Sequence, residues 1–209
     1  GGLIVAIISN AVTIADAGAF SASLGSQTLI KTLTASSSGS LTFVNGSSNV
    51  VLDSTYPVYR FVFTDIHPAT DNTFLTFQAD TGTNTNYNQT ITSTFFKCLN
   101  NEAGNSTSLA YDGNSDLAQS TSFQHLSRNV GNDNDQSIAG TLTLFNPSSA
   151  TFVKHFISRS NVYTNDDFSI DSAIAGYVNT TTALTRVQFK MASGNIDAGT
   201  IKLYGIKDS

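Results

Sequence analysis

Tryptophan is absent, and methionine and cysteine occur once each. Glutamate appears only at Glu102. With so few helix formers, a helical bundle is not the expected fold. Charged residues are 12% of the chain, about half the usual share. The ten basic residues are scattered singly and the formal net charge is −5, so no basic stripe exists to bind nucleic-acid phosphates. A single cysteine cannot close an internal disulfide. Cys98 is expected to be a buried or half-buried strand thiol beside Phe95 and Phe96. The run "LIVAII" at 3–8 is far shorter than the roughly 18 apolar residues of a helical membrane span. With no basic flank before it, it reads as neither signal peptide nor anchor, and no membrane insertion is expected.

Serine, threonine, asparagine and glycine replace the missing charge. They suit turns and the solvent faces of strands. Hydrophobic residues are 40% of the chain, with 14 Phe and 7 Tyr, which excludes general disorder. Residues 1–26 hold one apolar run and then small side chains, and read as an N-terminal arm or strand. From 27 to 209, alternation at period two recurs between polar turns. In 57–66, Tyr59, Phe61 and Phe63 share a face. In 183–191, Val187, Phe189 and Met191 do so, and in 199–206 Ile201 and Leu203 point inward. Segments 57–66 and 73–79 read as a hairpin, and "NPSSA" at 146–150 as a hairpin turn. One apolar and one wet face per strand is antiparallel behaviour. About ten such strands predict an all-β, jelly-roll-like antiparallel β-sandwich. Residues 112–136 lack a clear period. A segment of that length is expected to be functional or packed on a neighbour, with a single helical turn near Leu117–Gln119.

No catalytic constellation stands out. His67, His125 and His155 lie far apart, without metal-ligand spacing. His67 reads as a turn cap, His155 as a partly buried sheet residue, and His125 as the one histidine placed to face a ligand. Asp166 and Asp167 are adjacent, so on a strand they would point to opposite faces, unlike the carboxylate pair of a glycosidase. Asp112, Asn114 and Asp116, with Asn132–Asp135, offer oxygen atoms of the kind calcium takes. The spacing fails the EF-hand pattern, and Asx-rich turns satisfy their own backbone. No metal, cofactor or enzyme activity is expected. Exposed aromatic rings could grip a glycan, and Tyr87, Tyr111 and Tyr163 are the candidate contacts.

The strings "FTDIHPATDN" (63–72), "LFNPSSATFVKHF" (144–156) and "AGYVNTTTALTRVQFKMASGNIDAGTIKLYGIK" (175–207) resemble virion structural proteins of marine tailed phages. The resemblance covers about residue 27 to the end. It implies a particle component localised to the virion, of head-decoration or tail-fibre type, with no established enzyme site. Expected partners are other virion proteins and further copies of the chain, most naturally as a trimer, with a host-surface glycan as the alternative. Leu3, Ile4, Val5, Ile7 and Ile8 would form an assembly arm adding a strand to a neighbour's edge.

Overall fold

The computed structural model describes residues 7–9, 12–15 and 27–207. Near the N-terminus, β1 (Ile7–Ser9) and β2 (Val12–Ala15) pair antiparallel. The body comprises β3 (Gln27–Thr34), β4 (Leu41–Val44), β5 (Val58–Pro68), β6 (Leu75–Thr81), β7 (Ile91–Asn101) and β8 (Thr107–Tyr111). It continues through β9 (Gln124–His125), β10 (Ile138–Phe145), β11 (Lys154–Tyr163), β12 (Phe168–Val178), β13 (Leu184–Met191) and β14 (Ile196–Ile206). An eight-stranded sheet, ordered β3-β14-β5-β10-β11-β12-β7-β8, packs against a four-stranded sheet, β4-β13-β6-β9. All pairings are antiparallel, so the fold is the all-β sandwich that the alternation predicts.

The aromatic core sits where β5 faces β13. Phe189 is fully buried, with its ring edge-on to Phe61 at 5.1 Å, Phe63 at 5.4 Å and Phe43 at 6.2 Å. Edge-to-face pairs of this kind add roughly 0.5–1.5 kcal/mol each beyond the area they bury. The predicted inward sets are the ones that meet here: Tyr59, Phe61 and Phe63 on β5, Val187, Phe189 and Met191 on β13, Ile201 and Leu203 on β14. On β12, Gly176 leaves room for the Phe156 ring. A side-chain carbon there would lie 2.7 Å from Phe156 Cζ, and Phe156 stacks edge-on to Phe77 at 5.0 Å.

β5 and β6 are not a hairpin. β5 belongs to the eight-stranded sheet and β6 to the four-stranded one. The change of sheet begins at a bulge. Asp65 takes φ 51°, so the buried positions step from Phe63 to Ile66 and the pairing register with β10 and β14 shifts. Gly199, at φ 107°, faces it; a Cβ there would stand 2.3 Å from the Asp65 carbonyl oxygen. β13 and β14 make the reverse passage at the same corner. The "NPSSA" turn does join paired strands, β10 and β11.

The four-stranded sheet leaves part of its larger neighbour uncovered, and residues 112–136 supply the cover. Ser120 bridges to Ile91, β9 pairs with β6, and Val130 bridges to both Thr73 and Thr164. Leu126 and Val130 from this segment are fully buried. The segment packs on its own sandwich. Among the described residues it holds no helix; its turns fall at 113–115 and 134–135, away from Leu117–Gln119.

Candidate functional site

The predicted site residues are dispersed. Leu3, Ile4 and Val5 lie outside the described residues; Ile7 and Ile8 fall on β1, where only the backbone is described. Tyr87 is 8% exposed, so it does not stand out from the 80–90 loop as a glycan contact. The cause is Asp80, a fully buried carboxylate. Its Oδ2 accepts from Tyr87 N at 2.9 Å, and its Oδ1 accepts from Thr81 N at 2.9 Å and Gln89 Nε2 at 3.0 Å. These bonds fold the loop back and tuck Tyr87 in at φ 48°.

Tyr111 and Tyr163 remain accessible. Tyr111 is half-exposed on the outer face of β8, packs edge-on to Phe96 at 5.3 Å, and donates its hydroxyl proton to Asp116 Oδ2. That bond to a carboxylate raises its pKa. Tyr163 lines a cleft of about 230 Å³ with Asn100, Asn101, Glu102, Asn161 and Ser169. Its hydroxyl donates to Asp167 Oδ1 at 3.2 Å. Desolvation, then hydrogen bonding to Glu102 and Asp167, pushes its pKa up to about 12, so it stays a neutral donor at physiological pH. An aromatic ring beside several amides is a surface that suits hydroxyl-rich ligands.

The histidines serve separate ends. His67 Nδ1 donates to the Gln136 carbonyl oxygen at 2.8 Å, tying the end of β5 to the 132–136 turn. His125 stacks flat on Phe74 at 4.7 Å and lies 3.3 Å from Ser115 Oγ. Burial, reinforced by the Arg128 cation, lowers its pKa. It is part of the packing under residues 112–136. His155 is exposed, contrary to the partly buried position expected; the alternation is right and the face reversed, because Lys154 takes the inner side. Lys154 Nζ donates to the carbonyl oxygens of Phe152 at 2.7 Å and Thr180 at 2.9 Å, which hold the buried cation; no acid among the described residues pairs with it. Cys98 is likewise exposed, on the outer face of β7 opposite Leu109. Phe95 occupies the buried side of that strand.

The oxygen-rich turns are committed to the protein. Asp112 is buried, and its Oδ2 lies 3.1 Å from Lys97 Nζ and 3.2 Å from Arg128 Nε. Two cations already neutralise the carboxylate a calcium ion would need. The 132–135 turn is folded by Gln136, whose Oε1 accepts from Asp133 N at 3.0 Å and whose Nε2 donates to the Thr164 carbonyl at 3.0 Å. Among the described residues no group of three or more His, Cys, Asp and Glu side chains is placed to hold a metal ion. Asp166 and Asp167 lie in an exposed turn.

A further surface feature escaped sequence reasoning. On the outer face of the eight-stranded sheet, Phe145, His155, Ile157, Ala175 and Tyr177, with Thr92 and Thr94, line a shallow, largely apolar depression of about 500 Å³. Each residue is an outward position on its own strand, but only the order β10-β11-β12-β7 makes them neighbours. The signal was present as period-two alternation and became readable once the pairing was known. No protein-family model, no curated protein and no solved structure matches this chain.

Proposed function

We propose that this chain is a surface subunit of a tailed-phage virion, a β-sandwich that works through assembly contacts as a head decoration or short fibre and carries no catalytic site. The observation that supports this reading most is the outer sheet face. It is broad and, beside a few charges such as the Arg159–Asp171 pair, carries apolar side chains in the open, among them Ile157 at 55% and Phe96 at 48% exposure. Scattered exposed apolar residues are ordinary, but several on one flat face mark an interaction surface. The sequence phrases at 63–72, 144–156 and 175–207 point the same way. Mass spectrometry of gradient-purified particles, with the chain quantified against the major head protein, tests it. Recovery at a fixed copy ratio supports the reading, and absence from intact particles overturns it.

A glycan-binding role is the second reading, supported by Tyr163 and the amides of its cleft. Host-surface polysaccharide fractions should then bind the folded protein, and Tyr163→Ala should abolish binding while Tyr163→Phe only weakens it. Equal binding by all three proteins removes this reading.

A further inference from the structure

A sheet edge shows its intended neighbour through the direction of its backbone groups. β8 is the last strand of the eight-stranded sheet. Asp112 N donates to the Phe95 carbonyl at 2.8 Å, and Asn101 N donates to the Ser106 carbonyl at 3.1 Å. With the register Phe96↔Tyr111, Cys98↔Leu109, these bonds direct the even-numbered residues of β8 toward β7. Thr107, Leu109 and Tyr111 therefore turn their N–H and C=O groups away from the sheet. Among the described residues no hydrogen bond reaches them. The side chain of Leu109 is 78% exposed, and it sits with Phe96, Tyr111 and Cys98 on one continuous outer strip.

Sheet edges are normally guarded by charge, proline, bulges or shortness. The other described edges of the sandwich are. β3 carries Lys31 and a register shift against β14; β4 has four residues and β9 two. β8, "TSLAY", has no charge and no proline and pairs with β7 without a shift. Its outward groups are also symmetric about Leu109. Turned about a two-fold axis beside that residue, normal to the sheet, the strand presents a carbonyl wherever its mate presents an N–H.

We propose that β8 pairs antiparallel with β8 of a second copy, Leu109 against Leu109 and Thr107 against Tyr111, joining two large sheets edge to edge. A two-fold pair takes the place of the trimer expected of a virion component. The two copies of Leu109, Phe96 and Tyr111 form one apolar strip across the junction. A five-residue strand pair buries less surface than an obligate interface, so the dimer is weak and forms as concentration rises. The proposal rests on the edge geometry and holds whether or not the chain belongs to a virion.

Sedimentation velocity across a concentration series up to hundreds of micromolar, with melting followed in parallel, tests it. The natural chain should shift from monomer to dimer. Leu109→Pro removes only an outward donor, so it should keep the melting temperature and remain monomeric. Leu109→Lys apposes two like charges and should weaken the dimer at least about tenfold, a loss of roughly 1.4 kcal/mol. In a Cys98→Ser background, Leu109→Cys should form a disulfide-linked dimer on mild oxidation, because opposed Cα atoms in such a pair lie about 5.5 Å apart. A chain that stays monomeric throughout overturns the proposal. So does a dimer that survives Leu109→Lys while Leu109→Cys fails to cross-link. Either result leaves the particle-composition test untouched, so the two ideas fail separately.

Discussion

The two halves of the sandwich are held by different physics. Where β5 and β13 face each other, the interior is aromatic, and contact depends on shape: Phe43, Phe61, Phe63 and Phe189 interlock edge to face, with Phe77 tilted against Phe189. Under residues 112–136 the inner surface of β7, β11 and β12 instead mixes polar side chains among apolar ones such as Phe95, Phe156 and Ile174. Ser93, Ser158, Ser160 and Ser172 are buried there. Gln124 Nε2 donates to the Ser115 and His125 carbonyls at 2.8 and 2.9 Å while its Oε1 accepts from Ser93 Oγ at 2.5 Å. Gln78 Nε2 reaches the carbonyls of Gln89, Thr121 and Ser122. Ser160 Oγ donates to the Leu126 carbonyl, and Lys97, Asp112 and Arg128 close the group. An irregular segment brings its own unpaired backbone, and buried amide and hydroxyl side chains satisfy it where a strand ladder cannot. The polar half is a loop folded into the interior by side chains that stand in for a partner strand.

Substitutions should separate the halves. Phe189→Ala empties the centre of the aromatic half and should cost about 3–5 kcal/mol of unfolding free energy by denaturant titration. Asp112→Asn leaves Lys97 and Arg128 facing a neutral amide. Because both cations keep partial contact with water, the loss should be roughly 2–3 kcal/mol, below the range for a fully buried pair. Gln124→Leu should cost about 1–3 kcal/mol for each group it orphans. Its sharper signature is local: amide exchange across 112–136 should accelerate before the β5 and β13 amides respond. If all regions exchange together, the two halves are one cooperative unit and the contrast is overstated.

Acid should act on the polar half first. The folded-state pKa of His125 is depressed by burial and by Arg128. Between that lowered value and the ordinary one near 6.5, the unfolded chain holds a proton the folded chain refuses, so stability rises with pH there. The contribution is intact above about pH 6.5 and is lost as pH falls through the window. His125→Phe should flatten that dependence, read from melting temperature against pH. The smallest effect belongs to Arg159 and Asp171, whose forked ion pair on the outer face spans 2.7–3.2 Å in open solvent. Arg159→Ala should change stability by an amount that disappears in moderate salt.

The aromatic half was legible in the sequence because a strand's buried face is written every second residue. Val187, Phe189 and Met191 could be placed without knowing what they touch. Alternation says which side of a strand is buried but not which sheet the strand joins. Segments 57–66 and 73–79 therefore read as a hairpin, although the bulge at Asp65 sends them to opposite layers. The same gap hid the depression around Ala175 and Tyr177, whose members meet only through strand order. The polar half was silent for another reason: nothing periodic marks Gln78, Gln124 or Asp80 as buried. Each is a polar side chain whose position is fixed by backbone groups far along the chain or on an irregular loop. Tyr87 misled for that reason, since its burial is set by Asp80.

The bonds of Asp80 also separate the neck of the 80–90 loop from its end. The neck, at Thr81, Tyr87 and Gln89, is fastened to the body, whereas residues 82–86 project into solvent. A foreign peptide spliced between Asn84 and Thr85 would be carried on a stiff mount, its own flexibility stopped before it reaches the sandwich. The chain thus contains a ready display position. Its capacity can be read by antibody capture of an inserted epitope while the melting temperature stays where it was.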